Sequence, residues 1–253
     1  MTTRPARRTL LHIAGTDTGV GKTLVTAALA AALRMRGADV VAAKPFASGC
    51  TPGCDWRDDD AQLLMAASRC DEPLDAVSPQ RFAHPLAPAT AAALEDRRVD
   101  IAGALDAMRA LAARHSIVLV EGVGGVAVPL HGGTLASDFA RQLGAPALVV
   151  ARTALGTINH TLLTLEHLRA RGVAVAGVVF VRHQSGPLSL AEETGVPLAC
   201  NLAGTPCHGI VPHVDAFARA VSLDEAVDAL PALCDAVQEL AERIIAGEFA
   251  ATG

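Results

Sequence analysis

Apolar residues in this chain come as short runs separated by longer alanine- and leucine-rich stretches. Leu10–Ala14, Asp39–Ala43, Ser116–Val120, Pro146–Ala151 and Val173–Val181 are rich in valine, isoleucine or leucine and show little polar alternation. Such runs read as strands buried on both faces, the habit of parallel sheets. The stretches between them predict helices over Lys22–Arg36, closed by Gly37, then from the trio Asp58, Asp59 and Asp60 to Ser68. Further helices are predicted at Ala89–Asp96, Ile101–Arg114 and Leu135–Leu143, and over a long segment ending at Arg171. Pro73–Pro88 reads as loop. The C-terminal part predicts a short helix at Pro187–Thr194, short strands at Val196–Ala199 and Gly209–Pro212, and closing helices between Leu223 and Glu248. Alternating strands and helices without an internal repeat predict an α/β fold, a doubly wound, mostly parallel sheet flanked by helices.

Length and charge narrow the picture. A chain of 253 residues is normal for one such sheet, so residues 1–253 are expected to form a single domain, with 1–8 as a flexible arm. A net charge of −5 removes the electrostatic case for nucleic acid or an anionic membrane as main partner. No stretch approaches the length of a membrane span, and the basic start lacks the apolar core of a leader, so a cytoplasmic protein is expected. Cys50, Cys54, Cys70, Cys200, Cys207 and Cys234 are scattered and lack a second pair at metal-ligand spacing, which reads as reduced thiols.

The densest chemistry lies at Gly15–Thr23, GTDTGVGKT, between the first strand and the first helix. Its glycines let backbone N–H groups turn onto an anion at a positive helix terminus; Lys22 would bridge phosphates and Thr23 would ligate magnesium. Five residues rather than four separate Gly15 from Gly21. Partition and cell-division ATPases with a related loop place a signature lysine where this chain has Asp17, and an acid cannot replace it. Lys44 follows the second strand and so reaches the sheet edge where ligands bind. Glu121 ends the most regular buried strand, ahead of Gly122, Val123, Gly124 and Gly125, and suits an acidic metal ligand. Gly156 and Thr157 open a second helix whose N–H groups can meet an anion. The acidic trio reads first as a helix cap, Asp138 as a cap or surface acid, and His160 as a hydrogen-bonded core histidine.

Together GTDTGVGKT, Ala43-Lys44-Pro45 with Ser48-Gly49, Glu121-Gly-Val-Gly-Gly with Pro129-Leu130, and Leu155-Gly-Thr-Ile-Asn-His-Thr-Leu-Leu-Thr164 resemble the dethiobiotin synthetase family over the first two-thirds of the chain. The resemblance implies ring closure of 7,8-diaminononanoate with carbon dioxide, driven by ATP and magnesium, through a carbamate and a carbamic-phosphoric anhydride. It implies Gly19, Val20, Gly21, Lys22, Thr23 and Leu24 at the phosphates, with Glu121, Gly122, Val123 and Gly124 opposite. Pro212, His213 and Val214 would lie near the base, and Thr23, Asp60 and Glu121 around magnesium. Lys22 and Lys44 become the catalytic lysines, and Thr18, Ser48, Gly124 and Gly125 substrate contacts. Gly156, Thr157, Ile158 and Asn159 would reach the substrate carboxylate from the neighbouring subunit of a homodimer. Lys44→Ala is then expected to fold normally and lose about 10²- to 10³-fold in kcat.

The chain departs from the family pattern at Gly19, where glutamate is common, at Val181-Arg182-His183, where a base-reading asparagine is expected, and over Cys200–Gly209, which reads as an insertion. A cobyrinate-type amidating ligase would need an added glutaminase domain, and a positioning ATPase the missing lysine.

Overall fold

The computed structural model describes residues 8–50 and 59–249. The proposed arm up to residue 7, Cys54 and Asp58 lie outside the described residues. The first half of the described chain runs β1 (Thr9–Gly15), α1 (Lys22–Met35), β2 (Val40–Ala43), β3 (Phe46–Ser48), α2 (Asp60–Ser68), α3 (Leu74–Val77), β4 (Gln80–Phe82), α4 (Pro88–Leu94) and α5 (Ile101–Arg114). There follow β5 (Ile117–Glu121), β6 (Pro129–His131), β7 (Thr134–Leu135), α6 (Ala136–Leu143), β8 (Ala147–Arg152), α7 (Thr157–Ala170) and β9 (Val175–Val181). The last are α8 (Leu190–Ala203), β10 (Cys207–Val211), α9 (Asp215–Arg219), α10 (Leu223–Ala229), α11 (Pro231–Cys234) and α12 (Gln238–Ile245).

Six strands form one sheet in the order β10-β9-β8-β1-β5-β2, every neighbouring pair parallel. Successive residues alternate between its faces. Leu11, Ile13, Leu119, Leu148 and Val150 pack with α1, α2 and the C-terminal helices, while Ala14, Val118, Val120, Val149 and Phe180 pack with the helices opposite. The central strands are therefore mostly apolar on both faces. Chain order departs to both sides of β1, to β5 on one flank and β8 on the other, so the switch point lies at the carboxyl ends of these central strands.

Three expectations need correction. Val196–Ala199 is not a strand but the middle of α8: a capping box between Ser189 and Glu192 starts that helix, and Val196, Ala199 and Ala203 are buried at helical spacing. Within Pro73–Pro88, α3 forms, and β4 pairs in parallel with β3, pinning the chain just after Lys44. His160 is exposed rather than part of the core. Asp138 does cap its helix, accepting from the Leu135 N–H at 2.9 Å, and pairs with Arg171 at 2.8 Å.

At the amino-terminal edge of the sheet, His115 Nδ1 lies 2.7 Å from Asp39 and Nε2 3.0 Å from Glu72, which Arg114 also holds at 2.8 Å. Burial would lower the imidazole's pKa, but the two carboxylates outweigh it and raise it. Hydrogen bonds from Arg114 draw Glu72 below its ordinary value; Asp39 is lowered too, its bonds to His115 and Ser116 overcoming its burial. A raised imidazole stabilises fully below its unfolded pKa near 6.5 and loses that as pH climbs through the folded value; the lowered carboxylates contribute above about 4 and lose it as pH falls. His115→Gln is thus expected to reduce Tm most between about pH 4.5 and 6.5 and to converge on the parent at alkaline pH. A Tm difference constant with pH would show that these charges contribute nothing.

Candidate active site

Gly21 sits at φ +96° at the head of α1, and no side chain caps the helix there. The first N–H groups of α1 are therefore left for an anion. A Cβ at Gly21 would also strike Val181 at 2.9 Å. Gly15 is required for a different reason: a Cβ there would lie 2.7 Å from Lys22 Nζ. The Lys22 side chain folds back under the loop, its ammonium donating to the Asp17 carbonyl at 2.9 Å and the Gly124 carbonyl at 2.7 Å. With only carbonyls as direct partners, burial lowers its pKa to about 8.

Glu121, the last residue of β5, is fully buried. Its Oε1 accepts from the Thr23 hydroxyl at 2.9 Å and from Lys44 Nζ at 2.9 Å, while Oε2 is buried without a partner. Burial raises the Glu121 pKa, Asp60 adding to this and Lys44 opposing it. Lys44, delivered by the end of β2, also donates to Asp60 at the start of α2. Burial would lower its pKa, but Glu121 and Asp60 together raise it. For Asp60 burial works upward, and Lys44 prevails and lowers it. Asp59 does not cap α2 with its side chain, as expected of the trio; its carboxylate is buried and binds Arg81 and Gln62. Asp60 alone of the described acids of the trio faces Lys44.

These groups open into a cavity of about 880 Å³, the upper part of the range for small-molecule sites, about 300 to 1,000 Å³. On the β5–β2 flank it is lined by Lys44, Ser48, Asp60, Glu121, Val123 and Gly124; the loop contributes Thr18, Gly19, Gly21, Lys22, Thr23 and Leu24. On the β9–β10 flank stand Arg182, His183, Pro212, His213, Val214 and Phe217. Val20 is a core side chain and is not among the residues lining the cavity. Gly122 and Gly125 border a small void behind the site with His12 and Ser137. Gly156, Thr157, Ile158 and Asn159 are outside the cavity, Gly156 and Asn159 exposed at the head of α7.

The family model described as AAA domain matches residues 8–220. The ATP-dependent dethiobiotin synthetase BioD of Anaeromyxobacter sp. (strain K) is 52% identical over 188 residues, 74% of this chain and 81% of that protein. The chain belongs to the dethiobiotin synthetase family. The family member from Bacillus velezensis is 39% identical over 203 residues, 80% of this chain and 86% of that protein. The septum site-determining protein MinD of Pyrococcus horikoshii, solved with Mg-ADP, matches at TM-score 0.59 and 16% identity, over 96% of this chain and 99% of that one. That likeness concerns the fold alone. The enzyme is thus an ATP-dependent dethiobiotin synthetase of biotin biosynthesis acting on small molecules. Among the described residues no helix is long and apolar enough to cross a membrane.

Sequence reasoning missed several residues of this synthetase's cavity, among them Pro85, Leu86, Val128, Phe217 and Leu233. They are apolar residues of loops and helices that no local pattern marks, and all but Val128, which sits between Gly125 and Pro129, are remote from the motifs.

Proposed function

We propose that this synthetase closes the ring of dethiobiotin in the cavity beneath Gly15–Thr23, with Lys22 and Lys44 as its catalytic charges. One observation carries the reading: Lys22, Thr23, Lys44, Asp60 and Glu121 converge at the carboxyl ends of β1, β2 and β5. The substrates are 7,8-diaminononanoate, carbon dioxide and ATP. One substrate amine adds to carbon dioxide, loses a proton and becomes a carbamate. A carbamate oxygen then attacks the γ-phosphorus, breaking its bond to ADP and forming a carbamic-phosphoric anhydride. The second amine attacks the carbamoyl carbon, and inorganic phosphate leaves with the former carbamate oxygen. No side-chain nucleophile is needed. Lys22 neutralises charge on the transferring phosphoryl group, and Lys44 steadies the carbamate. The Gly19–Thr23 backbone, with Leu24 beside it, holds the phosphates, joined by Gly122, Val123 and Gly124; Thr18, Ser48 and Gly124 line the path of the substrate, with Gly125 behind it. Pro212, His213 and Val214 flank the base.

Thr23, Asp60 and Glu121 fit a magnesium ion. They form an all-oxygen donor set, Glu121 Oε2 is buried with no partner, and the Lys44 ammonium already bonds both carboxylates as a cation would. Bound there, the metal supplies charge neutralisation at the phosphates. The set holds only two carboxylates, so no cluster of three acidic, histidine or cysteine ligands marks it among the described residues.

The enzyme works in this reading as a cytoplasmic homodimer of one-domain subunits, Gly156, Thr157, Ile158 and Asn159 serving the partner's substrate carboxylate. The exposure of Leu155, 90% accessible beside them, supports a covered surface. Mixing the inactive variants Lys44→Ala and Asn159→Ala is expected to restore about a quarter of parental activity by forming one intact site per mixed dimer. No recovery after subunit exchange would remove the shared site. The reaction itself is tested by ATP turnover with and without 7,8-diaminononanoate and bicarbonate. Turnover is expected to depend on the diamine; turnover indifferent to it would refute the assignment.

A further inference from the structure

Arg152 ends β8 beside the phosphate loop. Its Nη2 donates to the Thr18 carbonyl oxygen at 2.7 Å and lies 3.5 Å from where a Cβ would stand on Gly19. Thr18 and Gly19 line the cavity, whereas Arg152 is not among its lining residues. Arg171 and Arg182, near it in sequence and sheet, are paired with Asp138 and Glu192. Among the described residues Arg152 has no carboxylate within ion-pair distance.

A loop that binds phosphate must turn its N–H groups inward, so its carbonyls need donors outside. In a trans peptide the C=O and N–H point in opposite directions across one rigid plane. A donor that draws the Thr18 oxygen outward therefore aims the Gly19 N–H inward. We propose that Arg152 is a positioning residue for the phosphate loop. Through the Thr18 carbonyl it turns the Gly19 N–H into the cavity, and its uncompensated charge strengthens the hold of the loop on a polyphosphate. Glycine at position 19 leaves this approach open.

The inference rests on reading Gly19–Thr23 as the ATP cradle, and Lys22→Met serves as the control for that reading. ATP and ADP affinities are measured by calorimetry without the diamine on the parent, R152Q, R152K and K22M, alongside Tm and steady-state kinetics. R152Q is expected to raise both Kd values and the KM for ATP about tenfold, leaving kcat, the KM for the diamine and Tm close to parental. A parental Kd in R152Q with ATP binding lost in K22M overturns the role of Arg152 and leaves the cradle intact. Parental binding in K22M overturns the cradle itself. Should R152Q lower Tm, R152K decides: a Kd nearer the parent's supports the charged donor, and a Kd equal to that of R152Q refutes it.

Discussion

Lys44→Ala is expected to lower kcat about 10²- to 10³-fold, roughly 3 to 4 kcal/mol of transition-state stabilisation. The sequence alone suggested that the variant folds normally, and the structure changes that expectation. Lys44 is buried against a fully buried Glu121, and removing one partner of a buried pair typically costs about 3 to 5 kcal/mol. Glu121 recovers part of this by taking up a proton, which its raised pKa already favours. Lys44→Ala should therefore melt roughly 5 to 10 °C lower. Adding Glu121→Gln should return most of the stability and none of the activity. A Lys44→Ala enzyme with near-parental turnover would remove the lysine from the chemistry; an unchanged Tm would remove it from the folded-state argument.

Lys22→Met should be equally inactive, losing about 10³-fold or more in turnover, yet stable. The free enzyme offers the Lys22 ammonium only the Asp17 and Gly124 carbonyls as hydrogen-bond partners, and its pKa of about 8 records that burial disfavours the charge. A methionine of similar shape relieves this, so the Tm of the free variant should equal or exceed the parent's. ATP should raise the parent's Tm by mass action and leave that of the variant unmoved. A variant destabilised as much as Lys44→Ala would show that Lys22 holds the loop together rather than awaiting a ligand. Two buried lysines in one site thus answer opposite electrostatic questions: Lys44 is neutralised by Glu121 and Asp60, and Lys22, in the proposed reading, is left for the phosphate.

Much of this site was legible because its parts are local. Gly15–Thr23 and Glu121–Gly125 are each a strand end with its following turn, and the chemistry depends on neighbours in sequence. The order of buried strands revealed the sheet for the same reason. What escaped depends on contacts across distance. The partner of Lys44 among the acidic trio is decided by where α2 begins relative to β2, and that Asp59 goes to Arg81 depends on β4 pairing with β3. Val196–Ala199 is short and apolar in either state, and only the Ser189–Glu192 box upstream makes it helix. Arg152 carries no motif at all, since its meaning lies in a carbonyl 134 residues away in sequence.

The most direct test of the central claim follows oxygen. Carbon dioxide labelled with ¹⁸O, given with ATP and 7,8-diaminononanoate in a reaction shorter than its exchange with water, should leave one labelled oxygen in the inorganic phosphate and one in the ring carbonyl of the product. Phosphate without label would mean that the γ-phosphoryl group passes to water, and would contradict carboxyl activation in this cavity.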